Sequence, residues 1–326
     1  MTSYPAWKKY QVKNNWKNLI SVFLTITFLF ALFNGFLKGI SLKEKFSTSR
    51  WDGKSPFAVV LAGSDPVVAL YQNDPQKLTF LKISGDTYVE TDSLGPAISK
   101  LRDVAFSGER TLRLVSRTFG ADFQNFAQTS DLTKINESEA EEVFKDFASI
   151  LTPLKILTGG YKTHIENTNI TRIDALRLWW QLKGLGIRDV NFKDLSHLSG
   201  EIVTENSEKV LGADSESLNK EISKYLENLN IARDNLKILI SNQSGDIAAS
   251  GLAYTFVKSV GAGVVEVRDE KTKVLKTQIL ANDKNSYTAS YLAKMFNCDI
   301  NGARETVQNG EILVVLGQDF AKYWFE

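Results

Sequence analysis

Two aspartates stand where α/β chains keep reactive groups, in loops that follow strands. Asp65 follows the apolar run "FAVVLAG", and Asp86 follows "LTFLKISG". They are the candidate catalytic residues, and the plainer role for both is turn capping, which aspartate does well. Arg113 and Arg117 are four apart, so they share a helix face and two guanidinium forks could meet one anion. Helix residues at that spacing are more often solvated partners of nearby Asp and Glu. A third cluster is Asn242, Gln243, Ser244 and Gly245, a polar turn at a strand end ahead of a helix. It is the candidate binding surface, because such a turn exposes its amides and hydroxyl.

Other chemistries are short of material. One cysteine, Cys298, excludes an internal disulfide framework and a cysteine metal cluster. Two histidines, His164 and His197, leave little for zinc, and no metal site is expected. Catalysis would have to rest on Asp, Glu, Arg, Lys or Ser. No G-x-S-x-G elbow, P-loop or strand-borne G-x-G-x-x-G is present. The pair Trp179-Trp180 reads as one ring in the core and one half-exposed. The 39 basic and 38 acidic side chains nearly cancel, which gives no argument for nucleic acid as a partner.

The elements that must hold these residues follow from apolar patterning. The chain has 326 residues, enough for about two domains. Leu19 to Leu37 is an uncharged apolar run, 19 residues long. At 1.5 Å per residue it spans roughly 28 Å, close to a bilayer's hydrocarbon core. It reads as an uncleaved single-pass anchor in the cytoplasmic membrane. The reading puts a tail (1–18) inside and the bulk of the chain outside, with the lipid bilayer as a partner. Residues 38–55 read as a polar stalk. From Phe57, "FAVVLAG", "VVALYQ" and "LTFLKIS" read as strands, and "AISKLRDVAF", "ERTLRLVSRTFG" and "SEAEEVFKDFASILTPL" as helices. The third helix is expected to start at Ser138 and close at Pro153. "NITRIDALRLWWQLKGLG" is a helix capped at Thr171, with Ile173, Leu176 and Trp180 on one face. Residues 201–233 read as a connector carrying one amphipathic helix, with Leu218, Ile222, Tyr225 and Leu226 on its apolar face. The remainder, 234–326, reads β-α-β-β-α-β, with Ala248, Leu252, Phe256 and Val260 as the stripe of its first helix.

That second unit resembles the C-terminal domain of LytR-type proteins. The matching residues are Asn242, Gly245, Gly251-Leu252-Ala253, Gly261, "SYTASYLAKMF" and "ILVVLGQDF". Residues 56–200 are similar, in a degenerate form, to the LytR-CpsA-Psr family, through "VVLAGSD", the "PVVALYQNDPQKLTFLKISGDTYVE" hairpin and "TNITRIDALRLWWQLKGLG". The resemblance implies an α/β fold: an anchor, an extracytoplasmic family-like domain, and a smaller βαββαβ domain. It implies transfer of glycopolymers from a polyprenyl-pyrophosphate lipid to peptidoglycan, with an arginine cluster and magnesium. The family's loop carries an arginine where this chain has Gly85, and the stretch 133–165, which aligns with the family's Arg-rich segment, has no arginine. Arg113 and Arg117 are the candidate phosphate-binding substitutes, and Arg102 and Arg110 are the others within sequence reach. Each lost guanidinium–phosphate contact removes roughly 1.5–3 kcal/mol. The expectation is therefore a non-catalytic binding or scaffolding protein of the cell envelope, with peptidoglycan, an envelope glycopolymer or an envelope protein as partner and no cofactor. The alternative is an active transferase with relocated arginines, which would need Mg2+.

Overall fold

The computed structural model describes residues 49, 51–91, 98–104, 108–128, 136–158, 165–203, 208–303, 307–308 and 310–325. The Leu19–Leu37 segment lies outside them, and among the described residues no helix is long and apolar enough to cross a membrane. Arg50–Glu326 forms one compact unit.

Its first sheet is built on β1 (Phe57–Ala62), β2 (Val67–Asn73) and β3 (Gln76–Lys82), an antiparallel meander. β6 (Asn125–Gln128) runs parallel to β1, with β7 (Asn167–Thr168) outside it. β8 (Val190–Asp194) runs parallel to β3, giving the order β7-β6-β1-β2-β3-β8. β1 has no polar alternation because both sheet faces are covered. Ala58 and Val60 enter one core with Leu112, Val115 and Phe119 of α2 (Gly108–Phe119). Phe57 and Val59 enter the opposite core with Phe144 of α3 (Glu137–Phe147) and Leu178 and Leu182 of α5 (Arg172–Leu182).

The antiparallel meander also decides where the loops fall. Val67 pairs with Lys82, and Lys82 pairs with Asp194. The carboxyl ends of β1, β3 and β8 therefore lie at one end of the sheet. Asp65 sits in the β1–β2 loop and Asp86 in the loop that leaves β3, so the two come together. That second loop enters a small sheet, β5-β4-β10-β9, formed by β4 (Tyr88–Glu90), β5 (Ile98–Lys100), β9 (Ser199–Val203) and β10 (Lys209–Ala213).

Several expected boundaries move. "AISKLRDVAF" is not one helix: among its described residues Ile98–Lys100 pair as β5 and α1 spans Leu101–Val104. α3 is capped by Asn136, not Ser138, in a reciprocal box with Glu139. Pro153 does not close it but lies in the first turn of α4 (Thr152–Thr158), where its missing N–H costs nothing. On α5 the buried face is Asp174, Leu178 and Leu182, not Ile173, Leu176 and Trp180. The stalk ends sooner than residue 55, because Trp51 is buried against Phe57 and Tyr71 and donates its indole N–H to the Ser55 carbonyl. Residues 201–233 are more than a connector. α6 (Ser215–Leu226) places Leu218, Ile222 and Leu226 in the first core, and β9 and β10 complete the small sheet.

The second lobe has the order β12-β11-β15-β13-β14. β11 (Lys237–Asn242) lies centrally between β12 (Gly263–Asp269) and β15 (Glu311–Leu316), parallel to both. β13 (Gln278–Ala281) is antiparallel to β15, and β14 (Asp299–Gly302), absent from the sequence reading, adds an edge. α7 (Leu229–Asp234), α8 (Ala248–Ser259), α9 (Tyr287–Met295) and α10 (Gln318–Phe325) pack against its core. The buried stripe of α8 is Ala249, Ala253, Phe256 and Val257, with Val260 just beyond the helix. That is one step round from the expected Ala248 and Leu252.

Candidate functional site

The loop that leaves β3 turns tightly at Gly85. Its N–H donates to Asp65 Oδ1 at 2.8 Å. A Cβ at this position would lie 2.0 Å from the Ser64 carbonyl oxygen and 3.0 Å from Arg102 Cβ. No side chain, least of all an arginine, fits this backbone. Gly85 thus lets the two aspartate loops touch, and Asp65 fastens one to the other.

Three cations close on the carboxylates. Lys82, at the end of β3, places Nζ 3.5 Å from Asp65 Oδ2. Lys100, at the end of β5, reaches Asp86 Oδ1 at 3.3 Å. Arg102, in α1, donates from Nη2 to Asp86 Oδ2 at 2.7 Å and lies 3.8 Å from Asp65 Oδ1. A third carboxylate belongs to the group. Burial would raise the Asp194 carboxyl, but hydrogen bonds from Ser196 and the charge of Lys82 outweigh it and hold it below the usual range. The set is then three fixed positive and three fixed negative charges, with no net surplus for an incoming polyanion. Asp65 is nearly buried, whereas the side chains of Asp86 and Arg102 are 57% and 40% exposed. Screening makes these outer pairs weak, about 0–1 kcal/mol each.

The magnesium that the resemblance implies does not fit this donor set. Asp65 already accepts an N–H and faces an ammonium, and Asp86 has a cation on each oxygen. A divalent ion would share those oxygens with three fixed positive charges. Among the described residues no three His, Cys, Asp or Glu side chains are grouped to hold a metal.

The other predicted site residues do not join this cluster. Arg113 donates to the Tyr323 carbonyl at 2.6 Å and Arg117 to the Trp324 carbonyl at 3.4 Å. Their guanidinium groups also lie 5.6 Å and 5.1 Å from the rings of Tyr323 and Phe325. Both arginines therefore hold the last turn of α10, whose orphan carbonyls and negative dipole end attract cations. The phosphate-ligand reading gives way to this helix-fastening one.

The 242–245 turn is likewise structural. Asn242 is 4% exposed and Ser244 6%. Asn242 Nδ2 donates to the Asp246 carbonyl and to Asp269 Oδ1, at 2.8 and 2.7 Å. Its Oδ1 accepts from the Ser244 N–H and hydroxyl, at 3.1 and 2.6 Å. Gln243 spends its side-chain amide on Ser241 Oγ, and Gly245 takes φ +90°, which a side chain resists. The expectation that this turn exposes Asn242 and Ser244 fails because the asparagine replaces backbone partners at the strand end.

The sequence reading did not single out Lys82, Lys100 or Asp194. Their only signal was a place next to the aspartate loops, and Lys100 depended on a hairpin that reads as a helix. Trp180, 62% exposed beneath Lys183, and Trp179, bonded to the Ser149 carbonyl, stand as one outer and one inner ring. Burial and the nearby Asp319 and Asp299 push the Cys298 thiol up to about 12, which leaves it a poor nucleophile.

No protein-family model and no curated protein matches this sequence. Several solved structures are similar to it. Bacillus subtilis TagV is 13% identical, with a TM-score of 0.41, over 53% of this chain and 98% of that one. Lin1025 from Listeria innocua is 16% identical, with a TM-score of 0.37, over 53% and 97%. The LytR-CPS2A-psr family protein YwtF (TagT) with bound octaprenyl pyrophosphate lipid is 15% identical, with a TM-score of 0.35, over 53% and 91%. Proteins of the LytR-CpsA-Psr family are thus among the solved structures similar to this chain, and identities this low say nothing of its activity.

Proposed function

We propose that this chain is a membrane-anchored, extracytoplasmic protein of the cell envelope that binds or scaffolds glycopolymer attachment without performing the transfer. The single observation that carries the non-catalytic half is the closed charge cluster: Lys82, Lys100 and Arg102 are each engaged by Asp65, Asp86 or both, and Gly85 has no room for an arginine. A pyrophosphate needs concentrated positive charge at bond exchange, and a self-neutralised set supplies little of it. The anchor reading rests on Leu19–Leu37, and the envelope subject on the sequence resemblance. Co-sedimentation of the detergent-solubilised full chain with peptidoglycan carrying its glycopolymer tests the binding half. Retention above that on stripped peptidoglycan is expected, and equal retention on both overturns it.

A second reading has one observation in its favour. Arg102 brings a guanidinium beside Asp86 from α1, so an arginine does stand at the loop, though from another element. Were it to turn from Asp86 to a pyrophosphate, the chain would be an active transferase with a relocated arginine. Phosphate release from a polyprenyl-pyrophosphate-linked polymer, dependent on both Arg102 and Asp86, would support that reading.

A further inference from the structure

A cavity of about 210 Å³ lies where the two lobes meet, away from the aspartate cluster. The first lobe lines it with Trp51, Asp52, Asp122 and Gln124, and the second with Tyr287, Tyr291, Ser290 and Lys294 of α9. It is smaller than the roughly 300–1,000 Å³ of sites that take drug-sized molecules, so its occupant is small. We propose that this cavity binds a single uncharged polyhydroxylated ring, of the size and chemistry of one monosaccharide.

The lining argues for that class in three ways. First, aromatic surface is present: the rings of Tyr287 and Tyr291 stack at 6.1 Å and 27°. An aromatic face suits the C–H face of a sugar ring, because its negative π-cloud meets weakly positive hydrogens. The Tyr287 hydroxyl is already committed, donating to Asp52 at 2.8 Å and accepting from Asn228 at 2.9 Å, so what it offers is its ring. Second, the polar lining mixes donors and acceptors. Gln124 and Lys294 donate, Asp122 accepts, and Ser290 does both. Asp122 accepts one hydrogen bond among the described residues, from Gln124 Nε2 at 3.2 Å, leaving acceptor capacity for ligand hydroxyls. Third, the charges disfavour anions. Asp52 and Asp122 line the cavity with the single ammonium of Lys294, so an anion meets more negative than positive charge.

Asp122 also supplies a reporter. Burial pushes its carboxyl up to about 7. Tyr291 of α9 faces it, and Tyr287 and Lys294 of the same helix and Asp52 line the same cavity. A ligand hydroxyl that donates to the carboxylate favours the ionised form, so affinity should rise with pH through about 7. The proposal does not depend on the envelope reading, since it concerns a cavity that the aspartate cluster does not line.

The test is saturation-transfer NMR on the full chain in detergent, with glucose and N-acetylglucosamine as probes. Ring protons of at least one sugar should be saturated, more strongly at pH 8 than at pH 6. Ser290→Trp fills the cavity and should weaken binding at least about tenfold. Asp122→Asn, which keeps the shape, should remove the pH dependence and remains decisive if Ser290→Trp fails to fold. No transfer to either sugar, or transfer that Ser290→Trp and Asp122→Asn both leave unchanged, overturns the proposal.

Discussion

At position 85 a hydrogen is all that fits between the two aspartate loops. Gly85→Ala and Gly85→Arg should each lower stability by about 1–3 kcal/mol or more, the usual cost of forcing volume into a packed backbone contact. Thermal melts check this; a Gly85→Arg protein as stable as the parent would mean that the loop can open to admit a guanidinium. Asn242 makes a comparable case in the other lobe. Asn242→Ala removes four hydrogen bonds and strands the Ser244 and Asp246 partners, so a loss of about 2–3 kcal/mol is expected. A melting temperature unchanged by Asn242→Ala would restore the turn as a candidate contact surface. The sequence placed Asp65 and Asp86 in strand-end loops, because apolar runs broken by Gly and Ser are a local signal. It did not reveal their cations, because Lys82, Lys100 and Arg102 meet only through strand pairing over long separations. Nor did it reveal that Asn242 and Ser244 are buried: a polar turn looks the same in sequence whether its side chains face water or replace backbone partners.

Elements were easier to find than to orient. α5, α6, α8 and α9 all occur where apolar periodicity set them, and the Thr171 cap forms as expected. The buried faces of α5 and α8 are rotated from those expected because several apolar stripes are available on each. Small residues decide α8: Ala249 and Ala253 let the helix approach the sheet, and the larger Leu252 is left at the margin. A methyl group added at Gly251, on the outer face of α8, would meet no atom within 4 Å. Gly251→Ala should therefore raise stability by about 0.4–1 kcal/mol, through helix propensity and a less flexible unfolded chain. Destabilisation would show that something packs on that face. α10 was missed altogether, although it is fastened by Arg113 and Arg117. Arg117→Ala should speed amide exchange over 318–325 while leaving the β1–β3 meander protected. Exchange unchanged in α10 would restore Arg117 as a candidate phosphate ligand.

At the scale of the whole molecule, the lobes are joined by polar contacts. Asp52, Tyr287 and Asn228 form one chain of bonds, and Arg113 and Arg117 of α2 reach the Tyr323 and Trp324 carbonyls of α10. Asp122 sits at this junction with its carboxyl raised from 3.8 to about 7. Between those values the folded chain binds more protons than the unfolded chain, so its contribution to stability falls as pH rises from about 4 to about 7. Asp122→Asn should flatten that slope in melts taken across the range, and an unchanged slope would assign it to other groups. The mixed α/β character was legible from strand and helix order, but the junction was not. It depends on Trp51 and Asp52, which lie in a stretch without apolar periodicity, and on α6, which serves the first core rather than linking two domains. The central claim is that the aspartate cluster is neutralised from within and cannot support transfer. The most direct measurement is phosphate release when the full chain is incubated with a polyprenyl-pyrophosphate-linked glycopolymer, Mg2+ and peptidoglycan. Release at the background rate, unchanged by Asp86→Ala or Arg102→Ala, is the predicted result; release well above background that either substitution abolishes would contradict the account.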